Sequence, residues 1–169
     1  MDSDKLMRGI IPGIIAGYLF LAFIGASMVP GSLSVTTDDA GMVTAVEQGA
    51  AMMGSGMTGM VAGMIGSDSA LIGFILHVII SAVIGALYTG LFMQYVDLGS
   101  PLYNIAVGGL IYGVIWWIIG GLIIMPAISG GELLQINLDS PSLLGHIMFG
   151  HALAFLVALR DRRMTAMDE

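Results

Sequence analysis

Long stretches without a charged side chain are the feature of this sequence that most restricts its fold. Five stretches contain no Asp, Glu, Lys or Arg, namely 9–37, 48–67, 69–96, 98–131 and 140–159. A helix needs about 20 apolar residues to cross the hydrocarbon core of a bilayer, which is about 30 Å thick. Charged residues make up only 10% of the chain, whereas soluble domains contain about 25%. The sequence therefore predicts an integral membrane protein, with 1–169 as a single membrane domain.

The second stretch differs from the other four in composition. It consists mainly of Gly, Ala and Met and contains almost no Leu, Ile or Phe, so its insertion into a bilayer is marginal. The other stretches predict transmembrane helices at about 8–29, 70–96, 101–125 and 141–160. Residues 30–68 then form an outer segment, in which 48–67 is interfacial, re-entrant or spanning.

The distribution of cationic residues predicts the topology. All five cations lie just outside the first and last apolar stretches: Lys5, Arg8, Arg160, Arg162 and Arg163. Because Lys and Arg beside a span favour the cytoplasmic side, we expect both termini in the cytoplasm and an even number of spans. The predicted fold class is all-α, a polytopic membrane protein with four transmembrane helices in an antiparallel bundle and a Gly/Met-rich interfacial or re-entrant helix on the outer face. The predicted location is the plasma (inner) membrane of a prokaryote.

Prolines mark several predicted helix ends. Ser100 and Ser140 each precede a proline, so their hydroxyl groups can cap the third and fourth spans. Pro126 is expected to end the third span soon after Met125. Pro12 lies inside the first stretch, where it predicts either a kink or the position at which the helix begins.

Small residues recur at intervals of about four in three of the spans. In a bilayer such positions let helix backbones approach closely, and van der Waals contact then drives their association. The predicted packing positions are Gly9, Gly13 and Gly17 in span one, Ser81 and Gly85 in span two, and Gly109 and Gly113 in span three. The chain contains 25 glycines, more than four internal contacts need. The sequence therefore also favours a homo-oligomer or docking into a larger membrane complex.

Three histidines, His77, His146 and His151, lie within apolar stretches. An ionisable ring inside a bilayer usually faces the bundle interior or water, which makes each a candidate site. Three interpretations are open: hydrogen bonds to neighbouring carbonyl or hydroxyl groups, a proton or ion path, or a metal or haem held by His77 and His151. Because His146 and His151 are about 140° apart on a helix, they cannot both bind one ion from a straight helix.

The Gly/Met segment contains the second candidate site. Met53, Met57, Met60 and Met64 recur on one face of a predicted helix, and glycines occupy another face. Thioethers favour Cu(I), so a soft-metal site on the outer face is one interpretation. Packing of compliant Met side chains, with close approach at the glycines, is the other.

The sequence contains no motif for catalysis. It has no cysteine, and it lacks a nucleotide-binding loop, a nucleophile elbow and a zinc-protease motif. We therefore expect no enzymatic activity and assign no cofactor. The juxtamembrane cations suit lipid headgroups and give no nucleic-acid footprint. The predicted function is a structural or accessory subunit or a self-associating helical bundle; the alternatives are a small ion or proton channel or transporter, or a haem- or copper-binding membrane protein.

Three segments together resemble a known group of proteins: 63–92 around His77, WWIIGGLIIMP at 116–126, and SPSLLGHIMFGHALAFLVALRDRR at 140–163. They are similar to small multispan prokaryotic inner-membrane proteins of the YagU type. In that group a helix with a mid-span His precedes a span ending in Met-Pro and a Gly-His helix with an Arg-rich tail. The resemblance implies that His77 and the Gly145-His146 pair are functional positions, and it implies a connection with acid tolerance.

Overall fold

The computed structural model describes residues 3–28, 36–37, 43–45, 56–136, 138 and 141–166. Within these residues, four helices are long and apolar enough to cross a membrane: Ser3–Ile24, Ala70–Tyr95, Pro101–Ile128 and Pro141–Met164. The prediction of an all-α, polytopic membrane protein is confirmed.

Five helices and two short strands make up the regular structure of the described residues. The first three helices are α1 (Ser3–Met28), α2 (Met57–Gly63) and α3 (Ala70–Tyr95). Helix α4 begins with Pro101–Tyr103 and ends with Met125–Ser129, and α5 is Pro141–Thr165. The chain follows wider, π-helical turns at Tyr88–Phe92 in α3 and at Asn104–Gly108 and Trp117–Ile124 in α4.

The two strands form a small antiparallel ladder that the sequence analysis did not predict. Strand β1 is Thr36–Thr37 and β2 is Val43–Ala45, with Thr36 opposite Ala45. Their Thr and Val residues are β-branched and favour extended backbone. Both strands belong to the segment between α1 and α2.

The structure decides between the two expectations for Pro12, and it places the end of the third span later than predicted. Helix α1 begins at Ser3, so Pro12 lies inside the helix and does not mark its start. Helix α4 continues through Pro126 and ends before Gly130, whose φ of +75° stops the helix. At the other end of α4, the hydroxyl oxygen of Ser100 accepts a hydrogen bond from the backbone N–H of Tyr103 at 3.4 Å.

The first of these prolines leaves a carbonyl that another helix satisfies. Pro12 has no N–H to donate to the carbonyl of Arg8, four residues earlier. The guanidinium Nη1 of Arg160, on α5, donates to that oxygen at 2.7 Å. Because unpaired backbone groups are costly at a membrane, this outside donor helps α1 to continue through its proline.

The second proline is accommodated in the same way by a loop. Pro126 removes the donor for the carbonyl of Leu122. The backbone N–H of Leu134, in the connection between α4 and α5, donates to that oxygen at 2.9 Å. Leu134 adopts a φ of +59°, which is rare for a residue with a side chain. The loop thus supplies the hydrogen bond that α4 cannot make within itself.

The chain divides into two compact units, Met1–Phe20 with Val78–Glu169, and Leu21–His77. In the first unit, α1 contacts α3, α3 contacts α4, α4 contacts α5, and α5 contacts α1. Each neighbouring pair is antiparallel, as the contacts of Phe20 with His146 and of Arg8 with Arg160 show for α1 and α5. Large buried side chains fill this unit: Phe20, Tyr88, Tyr112, Trp117, Phe149 and Leu153.

Glycines of α1 and α3 bring these two backbones into direct contact. A Cβ added to Gly9 would lie 1.8 Å from the carbonyl oxygen of Gly85, and one added to Gly13 would lie 2.3 Å from that of Ser81. Ser81 and Gly17 are also buried. No side chain fits where the helices approach this closely, so the contact depends on glycine.

Helices α4 and α5 meet in the same manner. A Cβ at Gly113 would lie 2.4 Å from the carbonyl oxygen of His146, and one at Gly109 would lie 3.0 Å from that of Gly150. A Cβ at Gly150 would in turn lie 2.1 Å from the carbonyl oxygen of Gly109. Gly150 was not among the predicted packing positions, although its four-residue spacing from His146 falls on the same face of α5.

In the second unit, α2 packs against the beginning of α3. A Cβ added to Gly73 would lie 1.7 Å from the carbonyl oxygen of Thr58, and Val61 and Ala62 are buried. Gly63, at the end of α2, is exposed and has no neighbour within 4 Å of an added Cβ. The buried side of α2 is therefore formed by small and β-branched side chains.

Candidate functional site

His146 lies in the first unit, where α5 meets α1 and α4. Its Nδ1 donates a hydrogen bond to the carbonyl oxygen of Ser142 at 2.7 Å, one turn earlier in the same helix. The ring packs edge-on against Phe20 of α1, with 4.9 Å between ring centroids. On the side of α4, Nε2 lies 3.8 Å from the position of a Cβ on Gly120. A methyl group at that position would therefore be in ordinary van der Waals contact with the imidazole.

The protonation of this ring follows from its partner. A carbonyl oxygen only accepts hydrogen bonds, so Nδ1 of His146 carries a proton. In the neutral ring, Nε2 is then an acceptor. The bond to Ser142 also fixes the orientation of the imidazole against α1 and α4.

His151 repeats this arrangement one and a half turns further along α5. Its Nδ1 donates to the carbonyl oxygen of Ile147 at 2.8 Å. The backbone of His151 lies close to Gly109, where an added Cβ would be 3.0 Å from the His151 Cα. Both rings of α5 are thus tied to their own helix.

His77 lies on α3 in the second unit and is partly buried. The predicted pairing of His77 with His151 joins residues of two different units and stays a prediction. Among the described residues, no group of three His, Cys, Asp or Glu side chains is arranged to hold a metal ion.

Three described methionines of the outer segment belong to α2 or its end: Met57 and Met60 lie in the helix, and Met64 follows its last residue. Met57 and Met64 are partly buried, whereas Met60 is 48% exposed. Met53 lies outside the described residues. The buried residues of this short helix are Val61 and Ala62, and Val61 lies about 40° around the helix from Met57. A soft-metal site among these methionines stays a prediction.

The polar side chains inside the first unit include two that the sequence analysis did not identify as hydrogen-bonding groups. The hydroxyl of Thr89, which is buried, donates to the carbonyl oxygen of Lys5 at 2.6 Å and so joins α3 to α1. The hydroxyl of Tyr112 donates to the carbonyl oxygen of Ile84 at 2.5 Å and joins α4 to α3. Neither contact has a signal in the sequence, because each depends on how two helices are aligned.

An aromatic cluster surrounds the second of these bonds. The ring of Tyr112 lies 4.9 Å from that of Tyr88, 4.8 Å from that of Phe92 and 6.2 Å from that of Trp116, measured between centroids. Edge-on and tilted contacts of this kind favour association of aromatic side chains. The cluster packs α3 against α4 and shields the Tyr112 hydroxyl group.

Comparison of the sequence with models of protein families, with curated proteins and with solved structures gives no match. The chemical properties of the protein therefore follow from the contacts that its own residues make. In the first unit, hydroxyl and imidazole groups donate hydrogen bonds to backbone carbonyl oxygens.

Proposed function

We propose that this integral membrane protein is a non-catalytic helical bundle that acts as a structural or accessory subunit, assembled with copies of itself or with a larger membrane complex. One observation carries the proposal. Thr89 and Tyr112 each donate a hydrogen bond to a backbone carbonyl of a neighbouring helix. Such bonds fasten helices and orient side chains, which is the use expected of polar groups in a bundle that does no chemistry.

A transport path would use polar groups differently. Ions and protons move along side chains or carbonyls that exchange partners, usually beside ionisable residues within the membrane. In the first unit, the hydroxyl groups of Thr89 and Tyr112 join neighbouring helices instead. The observed bonds therefore favour a scaffold over a channel or transporter.

Helix α3 offers the surface for self-association. Only 17% of its apolar span is buried, against 33–39% for the other three candidate spans. Ile75, Ile79 and Val83 recur along its exposed face. A second copy of the chain would cover this face with an aliphatic helix surface of the same kind.

Cysteine crosslinking tests this assembly cleanly, because the chain contains no cysteine of its own. In membranes, oxidation of the Val83→Cys variant is expected to give a covalent dimer. The matched control is Ile111→Cys, on an exposed face of α4, which is expected to stay monomeric. Size measurement and protein identification after gentle extraction complete the test. A monomer with no stoichiometric partner would contradict the proposal.

A haem or metal protein is the second candidate, and one observation favours it. Metal-binding histidines usually donate the other ring N–H to a carbonyl or carboxylate, which orients the nitrogen that binds the metal. The Nδ1 bonds of His146 and His151 have this form. An absorption spectrum and metal analysis of the extracted protein decide between the candidates. A Soret band or stoichiometric copper or iron would replace the scaffold proposal.

We also propose that both termini lie in the cytoplasm of a prokaryote, at its inner membrane. The bond from Arg160 to the carbonyl of Arg8 supports this, because it brings the beginning of α1 and the end of α5 to one end of the first unit. A reporter that works only in the cytoplasm is expected to be active when it is fused after Glu169. Activity of a reporter that works only on the outer side of the membrane, fused at the same position, would contradict this orientation. The resemblance to YagU-type proteins, which are prokaryotic inner-membrane proteins, implies the same location and is part of this proposal.

A further inference from the structure

The connection between α4 and α5 exposes several large apolar side chains. Leu133, Leu134, Ile136 and Leu138 are each 56–68% exposed. Connections that lie in water carry mostly polar side chains, because exposed apolar surface is unfavourable there. A group of exposed apolar side chains marks a surface that contacts a membrane, a protein or a ligand. The depth of this connection relative to the bilayer indicates which of these contacts it makes.

Helix α5 shows where the hydrocarbon core begins and ends. Between its first residue, Pro141, and Arg160 the helix is about 28 Å long, at about 1.5 Å per residue. No charged residue lies between these two in the sequence. This length matches a hydrocarbon core about 30 Å thick. The first turn of α5 therefore lies at the boundary of the core that is opposite to Arg160.

The contact between α4 and α5 places Leu122 at the same boundary. A Cβ added to Gly121 would lie 3.5 Å from the hydroxyl oxygen of Ser142, in the first turn of α5. The residue after Gly121 is Leu122, whose carbonyl oxygen accepts the hydrogen bond from the N–H of Leu134 at 2.9 Å. The backbone of Leu134 therefore lies at the depth of the core boundary.

Helix α4 extends past this boundary before the chain returns to it. The helix ends at Ser129, about 10 Å beyond Leu122 at about 1.5 Å per residue. The connection then folds back along the last turns of α4, as the bond between Leu134 and Leu122 shows. Ile124 and Ile128, on these turns, are exposed as well. Exposed apolar side chains therefore occupy both the end of α4 and the connection that returns along it.

The charge and the backbone of the connection fit a position at the lipid headgroups. Of its described residues, 130–136 and 138, only Glu132 is charged. The irregular backbone cannot enter the hydrocarbon core, because its N–H and C=O groups would lose their hydrogen bonds with water. Apolar side chains on a backbone at the core boundary do reach the acyl chains, as they do in interfacial helices.

We propose that the connection between α4 and α5 binds the lipid leaflet at this end of the first unit and anchors the unit at a fixed depth. The backbone lies among the headgroups, and the exposed Leu and Ile side chains contact the acyl chains beneath them. Lipid is the partner that this depth selects, because lipid surrounds a membrane protein wherever protein does not cover it. The bond to Leu122 ties the connection to α4 at that depth.

Spin labels on single cysteines test this contact in the full-length chain, which has no cysteine of its own. Leu133→Cys and Ile136→Cys are labelled and reconstituted in phosphatidylcholine vesicles. Relaxation of each label by oxygen, which concentrates among acyl chains, is compared with relaxation by a nickel chelate, which stays in water. Ala166→Cys, an exposed position beyond Arg163, is the reference for water. Ile111→Cys, on an exposed face of α4, is the reference for the hydrocarbon core.

The ratio of oxygen to nickel relaxation is expected to be several-fold higher at Leu133→Cys and Ile136→Cys than at Ala166→Cys, and lower than at Ile111→Cys. Efficient relaxation by nickel at the two connection variants would mean that the connection lies in water and would overturn the proposal. Labels that neither agent reaches would also overturn it, because protein would then cover the connection.

A measurement on the unmodified chain tests the same contact without any substitution. Phosphatidylcholine that carries a diazirine near the carboxyl end of an acyl chain is expected to label 130–138 on irradiation, and mass spectrometry of the fragments detects the label. Labelling of the transmembrane helices without labelling of 130–138 would show that the connection does not contact lipid, and the proposal would fail.

Discussion

At the scale of single residues, the closest helix contacts depend on the absence of a side chain. Gly113 and Gly85 face backbone atoms of a neighbouring helix, so an added methyl group has no flexible neighbour to push aside. Gly63 faces open space. Replacement by alanine is therefore expected to destabilise the protein at Gly113 and Gly85 but not at Gly63.

Gly113→Ala is expected to lower the free energy of unfolding by about 1–3 kcal/mol, because its Cβ meets the carbonyl of His146 and forces α4 away from α5. Thermal unfolding in detergent measures the loss. Gly63→Ala is the control, and it is expected to be neutral or slightly stabilising because alanine favours helix. Equal stability of both variants would show that the α4–α5 contact tolerates a methyl group.

Leu134 is the second residue whose backbone makes a clear prediction. Its φ of +59° costs a leucine about 1–2 kcal/mol relative to glycine, whereas glycine loses about 0.5–1 kcal/mol in chain entropy. Leu134→Gly is therefore expected to raise the unfolding temperature slightly while keeping the N–H that bonds to Leu122. Leu133→Gly, at an equally exposed neighbour, is expected to lower it. A lower unfolding temperature for Leu134→Gly would contradict the strain at this position.

At the scale of helices, α1 depends on α5 for a hydrogen bond that Pro12 removes. Pro12→Ala restores an N–H that can donate to the carbonyl of Arg8 within α1. Arg160→Gln is expected to cost about 1 kcal/mol of stability in the unmodified chain, and clearly less in the Pro12→Ala background. Thermal unfolding of the unmodified chain, the two single variants and the double variant in phosphatidylcholine measures this coupling. Additive effects would mean that Arg160 does not replace the missing donor.

The connection between α3 and α4 is ordered by one carboxylate. Oδ1 of Asp97 accepts hydrogen bonds from the backbone N–H of Gly99 at 3.0 Å and from the Asn104 amide at 3.3 Å. The Asn104 side-chain oxygen in turn accepts from the N–H of Leu98 at 2.8 Å. The bonds from Gly99 and Asn104 hold the pKa of Asp97 below its ordinary value.

This lowered pKa sets the expected pH dependence of the loop. The bonds stabilise the folded loop above the ordinary pKa of a carboxyl group, and their contribution is lost as the pH falls through the lowered pKa of Asp97. Asn104→Ala is expected to raise this pKa towards the ordinary value. NMR titration of the Asp97 side chain measures it, and an unchanged titration would mean that the amide does not hold the carboxylate.

At the scale of the whole molecule, the four apolar helices follow from the sequence because hydrophobicity and charge are local properties. The extension of α4 through Pro126 does not follow, since the donor that permits it comes from Leu134 in a later loop. The partners of Tyr112 and Thr89 also depend on the alignment of neighbouring helices. For the histidines of α5, the sequence identified the residues, and the structure adds which ring nitrogen is engaged.

The contact between Arg160 and the carbonyl of Arg8 has a consequence for biosynthesis. A ribosome completes the first span long before it reaches the last one, so the carbonyl left open by Pro12 waits for its donor through most of translation. A nascent chain that stalls before Arg160 lacks this hydrogen bond in α1. Insertion of the final helix therefore completes the hydrogen bonding of the first one.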